Sequence, residues 1–593
     1  MKELLLEKRT HHCGELRGSH GGQNVILQGW VGRRRDHGNL IFIDLRDIHG
    51  VTQIVFDPNE NESAYIHAKE LKQEYVISVV GQVRPRPEGM VNEQMKTGEI
   101  EVLAINLEIL NKAKTPPFLI VDDVDATEEL RFRYRYLDLR RPEMQKSMIV
   151  RHRVAQIVRQ TLDEQGFLEI ETPFLMRSTP EGARDFLIPS RIHHGKFYAL
   201  PQSPQTYKQV LMIAGYDKYF QIVKCFRDED FRAERQPEFT QIDIEMSFVD
   251  EKDIFKVTEG IVRKIFKDLL QQELVAPFPV LTYDQAMEKY GTDKPDLRFG
   301  MEIRNISEIV AESEFKVFSG TVANGGIIAA INLKGCANYS RKKIDELNQF
   351  IINLGGKGVL TAKAKEGDLE GSFRKFLSEE MVAAINKIME TESGDLLIFI
   401  AGSRAVTLEL LGRLRTKLGR EEQLIDQSLY CPLWVTDFPL LEYEKEEERY
   451  IAMHHPFTSP RAEDIQFFET NPLRVKARAY DLVLNGYEVA GGSIRNHIYE
   501  NQMKVFSLLK IDEAEAQNKF GFLLDALQYG APPHGGIAFG FDRLVMILAG
   551  KNSIRDVIAF PKTTSALSLM DNSPEDVDEG QLRELGLKVI EKE

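Results

Sequence analysis

Between residues 20 and 110 the apolar positions fall into five short β-rich runs: VILQGWVG, LIFIDLRD, VTQIVFD, YVISVVGQVR and EIEVLAINLEIL. Gly, Asn, Asp and Pro turns separate them, so the segment reads as five strands. Five strands in so short a stretch predict a small barrel. The oligonucleotide-binding (OB) barrel is the commonest of that size with an RNA-facing sheet. Pro116 and Pro117 then stop any regular element and mark a linker.

The period changes after the linker. Ile149, Val150, Val154, Ile157, Val158 and Leu162 recur at steps of three and four, which predicts a helix over 146–165 capped by Gly166. FLEIETPFL follows as a strand ended by Pro173. Residues 219–248 predict a hairpin. In its second strand Ile242, Ile244, Met246 and Phe248 alternate with Gln241, Asp243, Glu245 and Ser247. Period two buries one face, and the polar set faces either solvent or a polar cleft. From about 290 to 425 the chain turns Gly- and Lys-rich and reads as an inserted α+β domain with no recognisable chemistry. Strands resume at 430. The expected organisation is a barrel at 1–111, a linker at 112–140, a catalytic domain in two parts at 141–290 and 426–565, the insertion at 291–425, and an acidic extension at 566–593. A chain of 593 residues is too long for one core, so several domains are required.

Composition narrows the class. No apolar run approaches the roughly 20 residues that span a bilayer, and the start has no signal-peptide pattern, so no membrane partner is expected. Four well-separated cysteines, without a CxxC pair, argue against a zinc site or disulfide framework and fit a reducing cytoplasm. The net charge of −15 argues against nucleic acid, but it hides local basic clusters. Arg33, Arg34 and Arg35 are consecutive, and RFRYRYLDLRR interleaves Arg131, Arg133, Arg135, Arg140 and Arg141 with aromatics. Restricted basic patches on an acidic enzyme are compatible with RNA. So is a plain acidic metabolic enzyme.

Three segments carry candidate chemistry. FRDEDFRAERQPEFTQ puts Arg227, Asp228, Glu229, Arg232, Arg235 and Gln236 in the hairpin loop. There arginine can neutralise an α-phosphate, and glutamate can accept from an adenine amine or ribose. An exposed charged loop is the plain alternative. GFDRLVMIL is a strand-to-helix junction: Gly540 permits close backbone approach, Asp542 can cap, and Arg543 lies in the first turn. YDLVLNGYEVAGGSIR holds Asp481, Glu488 and Arg495, and its two carboxylates suit Mg²⁺ with phosphate oxygens.

Taken in order, these segments resemble the class II aminoacyl-tRNA synthetases. TPFL with its preceding helix is similar to motif 1, FRDED…RQPEFTQIDIEMSF to motif 2, and GIAFGFDRLVMIL to motif 3. TPEGARDFLIPSR, LPQSPQTYKQ, YGTDKPDLRFG and AMHHPFTSP resemble the bacterial-type aspartyl branch, over essentially the whole chain. The resemblance implies an antiparallel catalytic sheet flanked by helices and a homodimer made through motif 1. Carried over by motif, it implies that Arg227, Asp228, Glu229, Gln236, Phe239, Glu488, Gly540, Phe541, Asp542 and Arg543 form the ATP site. Phe239 would stack on adenine with Arg543 over the other face. Asp481 and Glu488 would hold Mg²⁺. Glu181 would engage the substrate ammonium, Lys208 and Arg495 the side-chain carboxylate, and Gln205 and His454 would complete the pocket. Two cations facing one carboxylate would favour aspartate over neutral asparagine.

The implied partners are L-aspartate, ATP and tRNA. In the barrel Phe42, Gln53 and Glu99 match anticodon-contacting positions, and an outward Phe suits base stacking. In a core strand, Phe42 would instead be buried. His37 and Gly89 resemble the relaxed members that aspartylate both tRNA-Asp and tRNA-Asn; strict bacterial members tend to carry leucine and lysine there. A neutral imidazole offers one donor and one acceptor and can satisfy either third anticodon base. Charging of tRNA-Asn would require a downstream amidotransferase. The alternatives are a strictly discriminating aspartyl enzyme, a relative using asparagine or lysine, and a catalytically inactive RNA-binding paralogue.

Overall fold

The computed structural model describes residues 8–179, 183–229 and 235–590. They divide into two compact units. One holds the chain through Arg151 with Gln236 and Ala549–Asp576, and the other holds most of what lies between.

The first unit contains the expected barrel. Strands β1 (Asn24–His37), β2 (Leu40–Asp47), β3 (Gly50–Phe56), β4 (Val76–Pro85) and β5 (Ile100–Asn111) close in the order β1-β2-β3-β5-β4. Val25, Leu27, Ile41, Ile43, Leu45, Ile77 and Val79 fill it. The alternation in LIFIDLRD turns Phe42 outward, half-exposed, between buried Ile41 and Ile43. This excludes the core reading of that phenylalanine.

The basic run RFRYRYLDLRR, at the end of the linker, does not form a basic RNA face. Arg135, 1% exposed, donates to Asp138 and to the carbonyls of Arg555, Ile558 and Ala559. Arg141 donates to the same Asp138 at 2.9 Å, and Arg140 joins Arg46 on the buried Glu74. The helical repeat is the cause: Asp138 stands three residues from each of Arg135 and Arg141 and meets both. Arg133 alone of the five arginines is exposed.

The second unit is built on an eight-stranded sheet. Its members are β6 (Leu168–Glu169), β9 (Lys218–Phe226), β10 (Glu238–Ser247), β11 (Val280–Thr282), β17 (Pro432–Thr436), β20 (Ala479–Leu484), β21 (Tyr487–Ile494) and β22 (His534–Gly540), ordered β11-β17-β20-β21-β22-β10-β9-β6. Pairing is antiparallel except at the two edges, β11/β17 and β6/β9. Two side hairpins are β7/β8 (Leu187–Pro189, Phe197–Ala199) and β18/β19 (Leu441–Glu444, Arg449–Ala452). The motif 1 helix runs Pro142–Asp163, four residues earlier than its apolar period predicts, because Pro142 fits a first helical turn. Of FLEIETPFL only Leu168–Glu169 is strand; Phe174 and Leu175 beyond it are exposed.

The segment expected to be an insertion folds as its own antiparallel sheet, β12 (Arg304–Asn305), β13 (Ile327–Leu333), β14 (Leu360–Lys365), β15 (Asp368–Glu370) and β16 (Leu396–Gly402), in the order β12-β13-β16-β14-β15. β13 is buried along its whole length. Apolar clusters around Leu347, Leu411 and Leu414 on one side and Phe318, Phe373 and Ile385 on the other cover it.

Candidate active site

The polar face of β10 is not solvated. Asp243 is 1% exposed and Glu245 is fully buried, because helix Gln205–Ile213 covers them with Lys208. Lys208 Nζ lies 2.7 Å from Asp243 and 3.0 Å from Glu245. Arg495, just beyond β21, donates its Nε to Glu245 at 3.0 Å and a terminal nitrogen to Ser493 at 2.7 Å. Gly536 stands opposite Glu245 in the ladder, and a Cβ there would fall 2.0 Å from the carboxylate, so only glycine leaves it room. Burial opposes the Glu245 charge, but Arg495 and Lys208 outweigh it and hold its pKa at about 2. Asp243 goes the other way: burial raises it further than Lys208 lowers it.

This network corrects the charge count expected from sequence. Lys208 and Arg495 do not await a substrate carboxylate as two bare cations; two buried carboxylates already balance them. What the two cations can still offer a ligand is donor geometry rather than net charge. Lys208 and Arg495 keep N–H groups beyond those given to Asp243, Glu245 and Ser493. At the start of the same helix, Gln205 Nε2 is buried without a hydrogen-bond partner. Glu181 lies outside the described residues. On its flank, Gln202 donates to the Ala183 carbonyl and to Asp185.

Motif 2 places Arg227 at the end of β9, its backbone N–H bonded to the Pro237 carbonyl. Its guanidinium sits over the Phe239 ring, 5.2 Å from the centroid, and its Nε is buried without a partner. Arg543, in the first turn of the helix Phe541–Leu548, bonds the Glu488 carbonyl, and its Nε is likewise orphaned. Two unsatisfied buried guanidinium donors in one unit mark positions where an anion fits. A Cβ on Gly540 would meet only Arg543 Cβ, at 3.8 Å, so protein packing does not demand glycine there. Other motif residues hold the frame. Asp542 accepts from Thr240 N–H at 2.8 Å, tying the motif 3 helix to β10, and Phe541 is 2% exposed and belongs to the core. Asp228 pairs its backbone with Arg184. Glu229 is half-buried at the end of the described part of the loop. Gln236, buried, bonds both the N–H and the carbonyl of Lys562 with its amide, which makes it a clamp on that backbone.

Asp481 and Glu488 converge over Gly491. A Cβ on that glycine would lie 2.7 Å from Asp481 Oδ1 and 3.4 Å from Glu488 Oε1. Asp481 is buried, and its Oδ1 has no hydrogen bond. Burial, then the Glu488 charge, push its pKa up. Burial also opposes the Glu488 charge, but Lys294, Arg543 and His454 outweigh it and hold that carboxyl below its ordinary value. Two adjacent carboxylates, one with a buried oxygen that accepts no close hydrogen bond, are a donor set that fits Mg²⁺ together with phosphate oxygens. Among the described residues no cluster of three or more such ligands exists. His454 belongs with this pair: its Nε2 is 3.5 Å from Asp481 Oδ1. That contact, rather than one with Lys208 or Arg495, is what the structure gives it. Its pKa is raised, since Asp481, Glu488 and Asp293 outweigh burial.

On the barrel, Arg35, Asp44, Gln53, Glu101 and Arg84 form a continuous hydrogen-bonded chain beside Phe42, with Gln53 and Glu101 buried in it. Glu99 is not part of it; its carboxylate accepts from the Gly18 N–H at 2.7 Å. His37 is exposed at the end of β1, paired with Leu40 across a turn through Gly38. Gly89 has φ +77°, and a Cβ there would meet nothing within 4 Å. Backbone conformation, not space, is therefore what glycine supplies at that turn.

Sequence reading left Asp243 and Glu245 open between solvent and a polar cleft, and it missed Glu101, His534 and Lys294. The signal for the first two was present, since acidic residues alternating with isoleucine in IDIE need not face water. His534, fully buried, bonds the Pro532 carbonyl and Gln209, and no local pattern marks it.

A family described as tRNA synthetases class II (D, K and N) matches residues 127–564, and an OB-fold nucleic acid binding domain matches 25–110. A relative from Desulfatibacillum aliphaticivorans named "Aspartate--tRNA(Asp/Asn) ligase" is 53% identical over 98% of both chains. One from Bacillus licheniformis named "Aspartate--tRNA ligase" is 53% identical over 98% of this chain and 99% of that one. Among solved structures, asparaginyl-tRNA synthetase from Pyrococcus horikoshii complexed with asparaginyl-adenylate shares the fold. Its TM-score is 0.59 at 20% identity, over 95% of this chain and 100% of that chain.

Proposed function

The chain belongs to the class II aminoacyl-tRNA synthetases of the aspartate, lysine and asparagine group, and from that premise we propose that it activates L-aspartate with ATP and esterifies it to both tRNA-Asp and tRNA-Asn. The observation that carries the choice of amino acid is the buried Lys208–Asp243–Glu245–Arg495 network. It presents two fixed cations with spare donors, which a carboxylate side chain satisfies and an amide or an ammonium does not. Asparagine would bring an NH₂ against N–H groups, and lysine a third cation.

In the reaction, the α-carboxylate of aspartate attacks the α-phosphorus of ATP and pyrophosphate leaves. Arg227, with its orphaned Nε, and Arg543 take up charge on the phosphates. Phe239 offers a face to adenine. Asp481 and Glu488 would hold Mg²⁺, which would supply further positive charge to the polyphosphate. The 3′-hydroxyl of tRNA then attacks the mixed anhydride and AMP leaves. Positioning and electrostatics suffice, and no covalent enzyme intermediate is needed. Aspartyl-tRNA-Asn would pass to an amidotransferase. The exposed Leu168, Phe174 and Leu175 at the sheet edge suit a motif 1 homodimer. Among the described residues no helix is long and apolar enough to cross a membrane.

Pyrophosphate exchange tests the amino acid. It should depend on aspartate, with asparagine and lysine at background. Exchange driven by asparagine or lysine, or by none of the three, would reject this reading.

A further inference from the structure

The segment YGTDKPDLRFG, 290–300, lies between the catalytic sheet and the inserted domain in sequence, and the structure ties it to both. On the sheet side, Lys294 Nζ stands 2.8 Å from Glu488 Oε2 and 4.0 Å from Asp293. Asp296 packs against Gly486 in the turn between β20 and β21, where a Cβ would sit 3.3 Å from the aspartate Cβ. On the insertion side, Gly291 (φ +65°) and Gly412 of helix Arg404–Glu421 meet backbone to backbone. A Cβ on Gly291 would fall 2.0 Å from the Leu408 carbonyl, and one on Gly412 would fall 2.6 Å from the carbonyls of Tyr290 and Gly291.

Arg415 of that helix is the anchor. It is 1% exposed and donates to the carbonyls of Asp296, Phe299, Gly300 and Met301 at 2.8–3.2 Å. Its guanidinium lies 4.0 Å from the Phe299 ring centroid and 4.9 Å from that of Tyr290. No carboxylate bonds it, and burial pushes its pKa down to about 10. A buried arginine satisfied by four carbonyls of one loop, from Asp296 and from Phe299 to Met301, fixes that loop's conformation, because its donors would otherwise be buried unpaired.

We propose that Lys294 is the resident cation of the Asp481/Glu488 pair, competing with a divalent ion for Glu488, and that the inserted domain positions it through Arg415. The inference rests on the reading of Asp481 and Glu488 as the metal pair. With Lys294 on Glu488, the free protein holds a divalent ion weakly. A polyphosphate, which brings its own ligands and also attracts the lysine, favours the exchange of one cation for the other. The inserted domain thereby acts on the metal requirement without contributing a ligand.

The test is binding of Mn²⁺ alone to the full chain without nucleotide, followed by electron paramagnetic resonance. Lys294→Met should tighten Mn²⁺ binding by about tenfold or more, the effect of removing a like charge within ion-pair distance. Arg415→Met should shift Kd in the same direction by a smaller factor, and should add nothing in the Lys294→Met background. Circular dichroism and the thermal midpoint establish that each variant is folded. If Arg415→Met does not fold, Gly412→Ala, which presses on the Gly291 contact, takes its place with the same expectation. Mn²⁺ affinity unchanged in Lys294→Met overturns the competition. An Arg415→Met effect that persists undiminished beside Lys294→Met overturns the positioning role. Glu488→Gln separates this proposal from the reading beneath it: Mn²⁺ binding that survives that change shows that the metal pair was misassigned.

Discussion

Glu245 shows how far a single buried residue depends on its neighbours. It carries a full charge with no exposure because Lys208 and Arg495 flank it and Gly536 leaves it space. Its folded pKa of about 2 lies below the ordinary 4.5. A depressed pKa contributes stability that is complete above the ordinary value and lost as pH falls through the folded one. Compared with Glu245→Gln, the wild type should therefore lose thermal stability between pH 4.5 and about 2, and the difference between their melting temperatures should contract over that window. Parallel melting curves across the same range would show that the pair does not carry this charge. At the nucleotide end, Arg227→Ala removes a preorganised donor whose Nε is otherwise orphaned. Single-turnover adenylate formation should fall by about 100-fold or more. An unchanged rate would take Arg227 out of the phosphate site.

At the scale of elements, glycines in β21 and β22 make room for the site. Gly491 clears the space in which Asp481 and Glu488 meet. Gly491→Ala should push the two carboxylates apart, so that the Mg²⁺ concentration for half-maximal pyrophosphate exchange rises several-fold while the fold persists. Titration with Mg²⁺ checks this, and an unaltered requirement would mean that the carboxylates do not act together. The elements themselves were largely legible. The barrel strands appear where alternation in LIFIDLRD and its neighbours placed them, and the helix before TPFL follows its 3.6-residue period. What remained hidden depended on contacts distant in sequence. The face of β10 reads as amphipathic by period, and only the covering helix with Lys208 shows that both its faces are buried. The arginines of RFRYRYLDLRR read as a basic patch until Asp138 and Glu74 claim them. Glu99 and Glu101 stand two residues apart, but Glu99 lies before β5, and only the strand register directs Glu101 to Gln53.

At the scale of the whole molecule, the chain carries a class II synthetase domain and an OB-fold nucleic acid binding domain. The motifs that announce the chemistry are short and ordered, so the family was visible in sequence. The specificity between two tRNAs was visible only as two loop residues, His37 and Gly89. The structure leaves His37 exposed at a strand end and gives Gly89 a left-handed backbone that lysine would adopt at a cost of about 1 kcal/mol. Relatives of equal identity carry both forms of the name, so the residues must decide. The most direct measurement is aminoacylation of purified tRNA-Asp and tRNA-Asn transcripts with aspartate and ATP, side by side. Both should be charged, and His37→Leu should depress the tRNA-Asn reaction while sparing tRNA-Asp. Efficient charging of tRNA-Asp with tRNA-Asn at background would contradict the account and make the enzyme a strict one.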